Sequence, residues 1–129
     1  MNKTQINPWT WQDALGFSQC LRLEAPTSLL FLAGQSPTSA EGRLVGSGDF
    51  DAQARQVFEN MRTVLEQAGA DFSAVVKIVL YLTDIRNLAD YERIAADYLP
   101  HPKPVGTALG VAALAVPGML IEVDATAVV

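Results

Sequence analysis

Basic side chains, cysteine and histidine are all scarce in this 129-residue chain, and each scarcity closes a class of function. Nine Lys and Arg stand against fourteen Asp and Glu, for a formal charge of -5. Phosphate backbones are bound through a basic footprint. Nucleic acid is therefore not an expected partner, and an anionic membrane surface is disfavoured on the same ground. The single cysteine, Cys20, excludes an internal disulfide and fits a reducing compartment, with the cytoplasm as the expected location. No histidine partner is identifiable for it, so it reads as a small buried side chain rather than a nucleophile. The only histidine, His101, lies in a Pro-flanked loop without a cysteine or second histidine nearby, and no metal site is expected.

Long apolar runs are missing too. Val105 to Ile121 carries no charge, but it is short for a membrane span and is broken by Pro117-Gly118. It reads as two buried strands joined by a turn. At the N-terminus, Met1 to Gln12 is polar with two tryptophans, and no basic stretch leads into an apolar core, so no targeting segment is expected. No repeat, low-complexity tract or linker divides the chain, which reads as one domain over residues 1–129.

Half the residues are hydrophobic and 18% are charged, a composition that builds a core. Phe17–Leu23 and Leu29–Ala33 read as strands of a hairpin around Ala25-Pro26-Thr27-Ser28. Ser39–Gly48 is loop-like; its Gly46-Ser47-Gly48 lacks the spacing and lysine of a P-loop and reads as a turn. Ala54, Val57, Phe58, Met61, Val64, Leu65 and Ala68 recur at helical spacing, with Asp49 or Asp51 as the cap and Gly69 as the stop. Val75–Leu82 is β-branched and apolar and predicts a central strand. Asn87 is placed to cap a second helix with Leu88, Tyr91, Ile94, Ala95 and Tyr98 on its buried stripe, ended by Pro100. Thr107–Leu114 and Met119–Val128 complete the set. The order β-β-α-β-α-β-β predicts an α+β fold, a mixed sheet with two helices on one face. Its other face is then apolar and uncovered, which predicts a homo-oligomer.

The last strand alternates. Met119, Ile121, Val123, Ala125 and Ala127 face one way, and Glu122, Asp124 and Thr126 the other. From periodicity, the two carboxylates mark either a solvated side or a polar cleft.

Four stretches then carry a family resemblance: Ala33-Gly34-Gln35-Ser36-Pro37, Gln53-Ala54-Arg55-Gln56, Val76-Lys77 and Ile121-Glu122-Val123-Asp124-Ala125. In this order and spacing the chain resembles the RidA/YjgF family, small trimers with a chorismate-mutase-like fold, from Gly16 onward. Residues 1–15, with Asn7-Pro8-Trp9-Thr10-Trp11, depart from the commonest family start. The resemblance implies a homotrimer with clefts between subunits, no cofactor, and hydrolysis of reactive enamines and imines to a keto acid and ammonia. It implies that Glu122 positions the attacking water and that Phe17, Ala33, Gly34, Glu92, Gly106 and Thr107 contact a small-molecule substrate. A guanidinium matches a carboxylate with two parallel hydrogen bonds, and a carboxylate orients water. The family arginine is replaced by Gly106, however, after Pro104, and a frequent tyrosine by Phe17. The expected function is hydrolytic deamination with altered substrate specificity. The alternatives are a non-catalytic trimer that binds or sequesters a metabolite and, more weakly, an endoribonuclease-like activity. For the individual residues, Asp124 suits a structural role, Gly106 suits strand packing as well as ligand space, and Glu92 suits an exposed helix face as well as a cleft.

Overall fold

The computed structural model describes residues 1–12 and 14–129. Helix α1, Phe50–Gln67, starts where Asp49 accepts a hydrogen bond from the Ala52 amide at 3.1 Å. It stops before Gly69, which takes a φ of +76° that side chains disfavour. Ala54, Val57, Phe58, Met61 and Leu65 are fully buried along one stripe. Val64 and Ala68, expected on that stripe, are exposed: Val64 flanks it, and Ala68 lies past its last covered turn. Helix α2, Leu88–Ala95, buries Tyr91, Ile94 and Ala95. Asn87 stands at its N-terminus but makes no side-chain cap. A single 3-10 turn, Ile85–Asn87, leads straight into the helix and is capped by Asp84 through the Arg86 amide.

The main sheet contains β3 (Leu29–Gln35), β4 (Val75–Leu82), β5 (Val105–Gly110) and β6 (Ile121–Val128), in the order β3-β6-β4-β5. β6 runs antiparallel to both β3 and β4, whereas β4 and β5 are parallel. A parallel pair needs a crossover, which α2 supplies. Ile78, Leu80, Leu82, Ile121, Val123, Ala125 and Ala127 share one core with both helices. Phe58 is its aromatic centre, stacked on Tyr98 at 4.7 Å and on Tyr91 at 5.9 Å between ring centroids. This is the expected α+β, chorismate-mutase-like arrangement, preceded by one further strand.

That further strand changes the expected hairpin. β2 (Cys20–Glu24) pairs antiparallel with β1 (Asn2–Ile6) in a separate ribbon, not with β3. The intervening turn explains this. Ala25 takes a φ of +55°, Pro26 has no amide to give, and the Thr27 and Ser28 amides both donate to the Val129 carbonyl, at 2.7 and 2.9 Å. The turn is thus tied to the end of β6 instead of closing a β2–β3 ladder. Cys20, expected to be buried, is exposed on this ribbon.

The uncharged stretch also differs from its sequence reading. β5 begins at Val105 and ends at Gly110, and β6 begins at Ile121. β5 is largely exposed, because it is an edge strand with β4 on only one side. Among the described residues, no helix is long and apolar enough to cross a membrane.

The sheet face away from the helices is uncovered but mixed. Phe31 and Leu29 on β3 are 79% and 58% exposed, and Leu109 on β5 is exposed. Between these edges lie Glu122, Asp124 and Thr126 of β6, each partly exposed.

Candidate functional site

Strand pairing places Glu122 beside Tyr81 on the open face, opposite to Ile121 and Val123, which enter the core. The ladder between β3 and β6 shifts register between Leu32 and Gln35, at Ala33-Gly34. Such irregularities re-aim the strand locally. There the Glu122 side chain lies across the Cα of Gly34: a β-carbon at position 34 would stand 2.5 Å from Glu122 Oε1 and 3.2 Å from its Cγ. Only glycine leaves this space. The chain just beyond is held by α1, whose Asn60 amide donates to the carbonyls of Ser36 and Thr38, both at 2.9 Å. Gln56 in turn donates to the Asn60 Oδ1 at 2.9 Å. Among the described residues, no cation pairs with Glu122. Its carboxylate therefore keeps acceptor capacity for water or a ligand N–H.

Asp124 has a different occupation. Its Oδ2 accepts a hydrogen bond from the Tyr81 hydroxyl at 2.9 Å. That bond, with partial desolvation and the nearby carboxylate charges, pushes the Tyr81 phenol above its ordinary range. Asp124 is thus tied across the ladder to Tyr81 on β4.

A second set of residues gathers around a cavity of about 240 Å³ between β5, β4 and α2, lined by Phe17, Glu92, Gly106 and Thr107 among others. Phe17 is fixed there by its neighbour. Ser18 is 1% exposed, donates its amide to the Pro104 carbonyl at 3.0 Å and its hydroxyl to the Lys103 carbonyl, and bridges Val105. Gly106 pairs with Ile78 and so shares the helix-side face of the sheet. A β-carbon there would meet only the Ile78 carbonyl at 3.7 Å and the Phe17 β-carbon at 3.9 Å, which is ordinary contact. Strand packing does not demand this glycine. Its effect is to leave the cavity without a side chain.

A single chain therefore divides the expected site residues in two. Ala33, Gly34 and Glu122 meet at the β3–β6 side of the open face. Phe17, Glu92 and Gly106 meet at the β5 edge, towards the helices. Thr107 pairs with Val79 and belongs to the open face, while its edge position also puts it on the cavity wall. Strands lie about 4.8 Å apart, so Thr107 on β5 stands about 10 Å from Asp124 of β6 across Val79 of β4, with Glu122 in the next row.

Sequence reasoning noted Gln53 only as part of a motif and missed its task. The side chain is completely buried, donates to the carbonyls of Gly46 at 3.1 Å and Gly118 at 2.9 Å, and accepts from the Leu120 amide at 2.8 Å. It fastens the start of β6 to α1 and so sets where Glu122 begins. A polar residue at the start of an apolar helical stripe was the available signal. Ser18 and Asn60 gave no signal, because their partners are distant backbone carbonyls. Among the described residues, no group of His, Cys, Asp or Glu is arranged to hold a metal.

An α+β chain with this strand order, a glutamate folded over a glycine and a cavity behind the edge strand has the features of a Rid-type domain. The family model described as Endoribonuclease L-PSP matches residues 12–129. The chain belongs to this family, which is also the RutC/YjgF family. A RutC family protein of Pyrococcus abyssi is 33% identical over 111 residues, covering 86% of this chain and 84% of the relative. The chloroplastic Reactive Intermediate Deaminase A of Arabidopsis thaliana is 35% identical over 102 residues, covering 78% of this chain and 53% of that protein. Among solved structures, the Rid-family protein YyfB of Yersinia pestis superposes with a TM-score of 0.89 at 37% identity, over 100% of both chains.

Proposed function

We propose that this chain hydrolyses small reactive enamines or imines, as a homotrimer whose clefts are completed between neighbouring copies. The observation that carries the reading is the Glu122 carboxylate, lodged over Gly34 on an open sheet face with no counter-ion among the described residues. A carboxylate so held accepts a proton from water while the water oxygen bonds to the imine carbon. The C=N bond opens to an amino alcohol, the C–N bond then breaks, and a carbonyl compound and ammonia leave. The division of the site residues between two regions of one chain supports a cleft built by two copies. The exposed Phe31 and Leu29 support an interface on that face. A deaminase name in the Arabidopsis relative favours the same chemistry. The lone cysteine agrees with a reducing compartment such as the cytoplasm. The test is a panel of freshly generated imines, with and without a carboxylate. Acceleration that disappears in Glu122→Gln is expected, and background rates across the panel would sink the reading.

One observation favours a second reading, ligand binding without turnover: Gly106 leaves no guanidinium to fix a substrate carboxylate. Thermal stabilisation by a metabolite with no product formed would select it. The family description names an endoribonuclease, but a formal charge of -5 disfavours RNA binding. RNA incubated with nuclease-free protein is expected to remain intact.

A further inference from the structure

Resting on the hydrolase reading, we infer that the cavity behind β5 selects substrates with a positive nitrogen head group and an apolar body: iminium ions derived from amines, without a carboxylate. The walls supply the apolar half. Ile78 and Leu80 of β4, Leu88 of α2, Leu99 and Phe17 all line the same space of about 240 Å³. Among the described residues, Glu92 is the only charged side chain of that lining.

Its charge is not spent elsewhere. Among the described residues, no hydrogen bond or ion pair engages the Glu92 carboxylate, which is exposed on α2. The adjacent Arg93 is committed to Asp51 at 2.8 Å and Asp90 at 3.4 Å. Lys103 and His101 line an adjoining cavity that Glu92 also borders. The Lys103 ammonium donates to the Leu99 carbonyl, and burial lowers its pKa. A carboxylate ligand entering the first cavity would lose hydration against apolar walls, meet no donor cation and face Glu92. An iminium N–H gains a charge-assisted hydrogen bond to Glu92 while its body contacts the leucines.

The reaction balances without a cofactor. In R–CH=NH2⁺ + H2O → R–CHO + NH4⁺, water oxygen bonds to carbon, a proton passes from oxygen to nitrogen, and the C–N bond breaks with its electrons on nitrogen. An amine-oxidising step must supply such a substrate, and an aldehyde-consuming step must follow.

The experiment measures binding of benzylamine, phenylacetate and benzyl alcohol to the intact protein by calorimetry. Benzylamine is expected to bind about tenfold tighter than phenylacetate, with the preference lost in Glu92→Gln. Equal or tighter phenylacetate binding, no binding by any probe, or an unchanged preference in the variant overturns the inference. Benzylimine generated in place by amine oxidation separates it from the hydrolase reading. Amine binding without accelerated imine hydrolysis overturns that reading and upholds the charge selection. Turnover of carboxylated imines without amine preference does the reverse.

Discussion

Gly34 and Glu122 compete for one volume, since a β-carbon on residue 34 would stand 2.9 Å from the Glu122 Cδ. The glycine therefore acts by what it leaves out, giving the carboxylate a bed on the neighbouring strand. Because the displaced atoms are the end of a flexible side chain, Gly34→Ala is expected to cost less than about 1 kcal/mol of stability. It should nevertheless move the carboxylate and reduce imine hydrolysis by about 100-fold. In a double-mutant cycle with Glu122→Gln the two losses should not add. Additive losses would show that residue 34 acts through something other than Glu122.

Gln53 spends its amide on three backbone groups of two other segments. Gln53→Leu removes all three bonds from part-buried backbone groups and is expected to cost about 2 kcal/mol in denaturant unfolding. Asn60→Leu should instead loosen the segment after β3, seen as faster hydrogen exchange of nearby amides at a smaller loss of stability.

Phe31, at 79% exposure, is the most uncovered large apolar side chain on the open face. If that face joins copies, Phe31→Glu should leave the circular dichroism unchanged while native mass spectrometry shifts from trimer to monomer. A trimer retained in the variant would place the interface elsewhere.

The tyrosines set an alkaline limit. Burial drives Tyr91 up, aided by the charge of Glu92; burial also raises Tyr98, and the hydrogen bond to Asp124 raises Tyr81. Each folded-state value exceeds the ordinary 10.0, so their contribution to stability is intact below pH 10 and is lost as pH rises through the folded values. Tyrosinate absorbance should therefore appear late and together with unfolding. Asp124→Asn should bring one tyrosine, Tyr81, into titration earlier.

Much of the fold was legible because its signals are local. The stripe of α1 and the alternation of β6 repeat within a few residues, and both faced as their periods require except at Val64 of α1 and at Ala68 just past its end. The ribbon of β1 and β2 was not legible. Asn2–Ile6 has no apolar alternation, so its strand exists through backbone pairing alone, and pairing is not written in side-chain order. Cys20 followed that error, since a strand in a two-stranded ribbon has no buried face. In the candidate site, the motif residues Gly34 and Glu122 could be picked out singly, but their contact depends on a register shift between strands some 90 residues apart in the chain.

The amino-acid sequence by itself determined that the chain is acidic and core-forming, that two amphipathic helices cover one side of a mixed sheet, and that Glu122 and Asp124 share one face of the last strand. These follow from composition and periodicity, which need no partner. Tertiary structure alone decided that Glu122 rests on Gly34, that Gly106 opens the apolar cavity bordered by Glu92, and that these two halves stand apart in one chain. The reason is physical: close approach and facing depend on strand register and order, which are set by packing across the whole sheet.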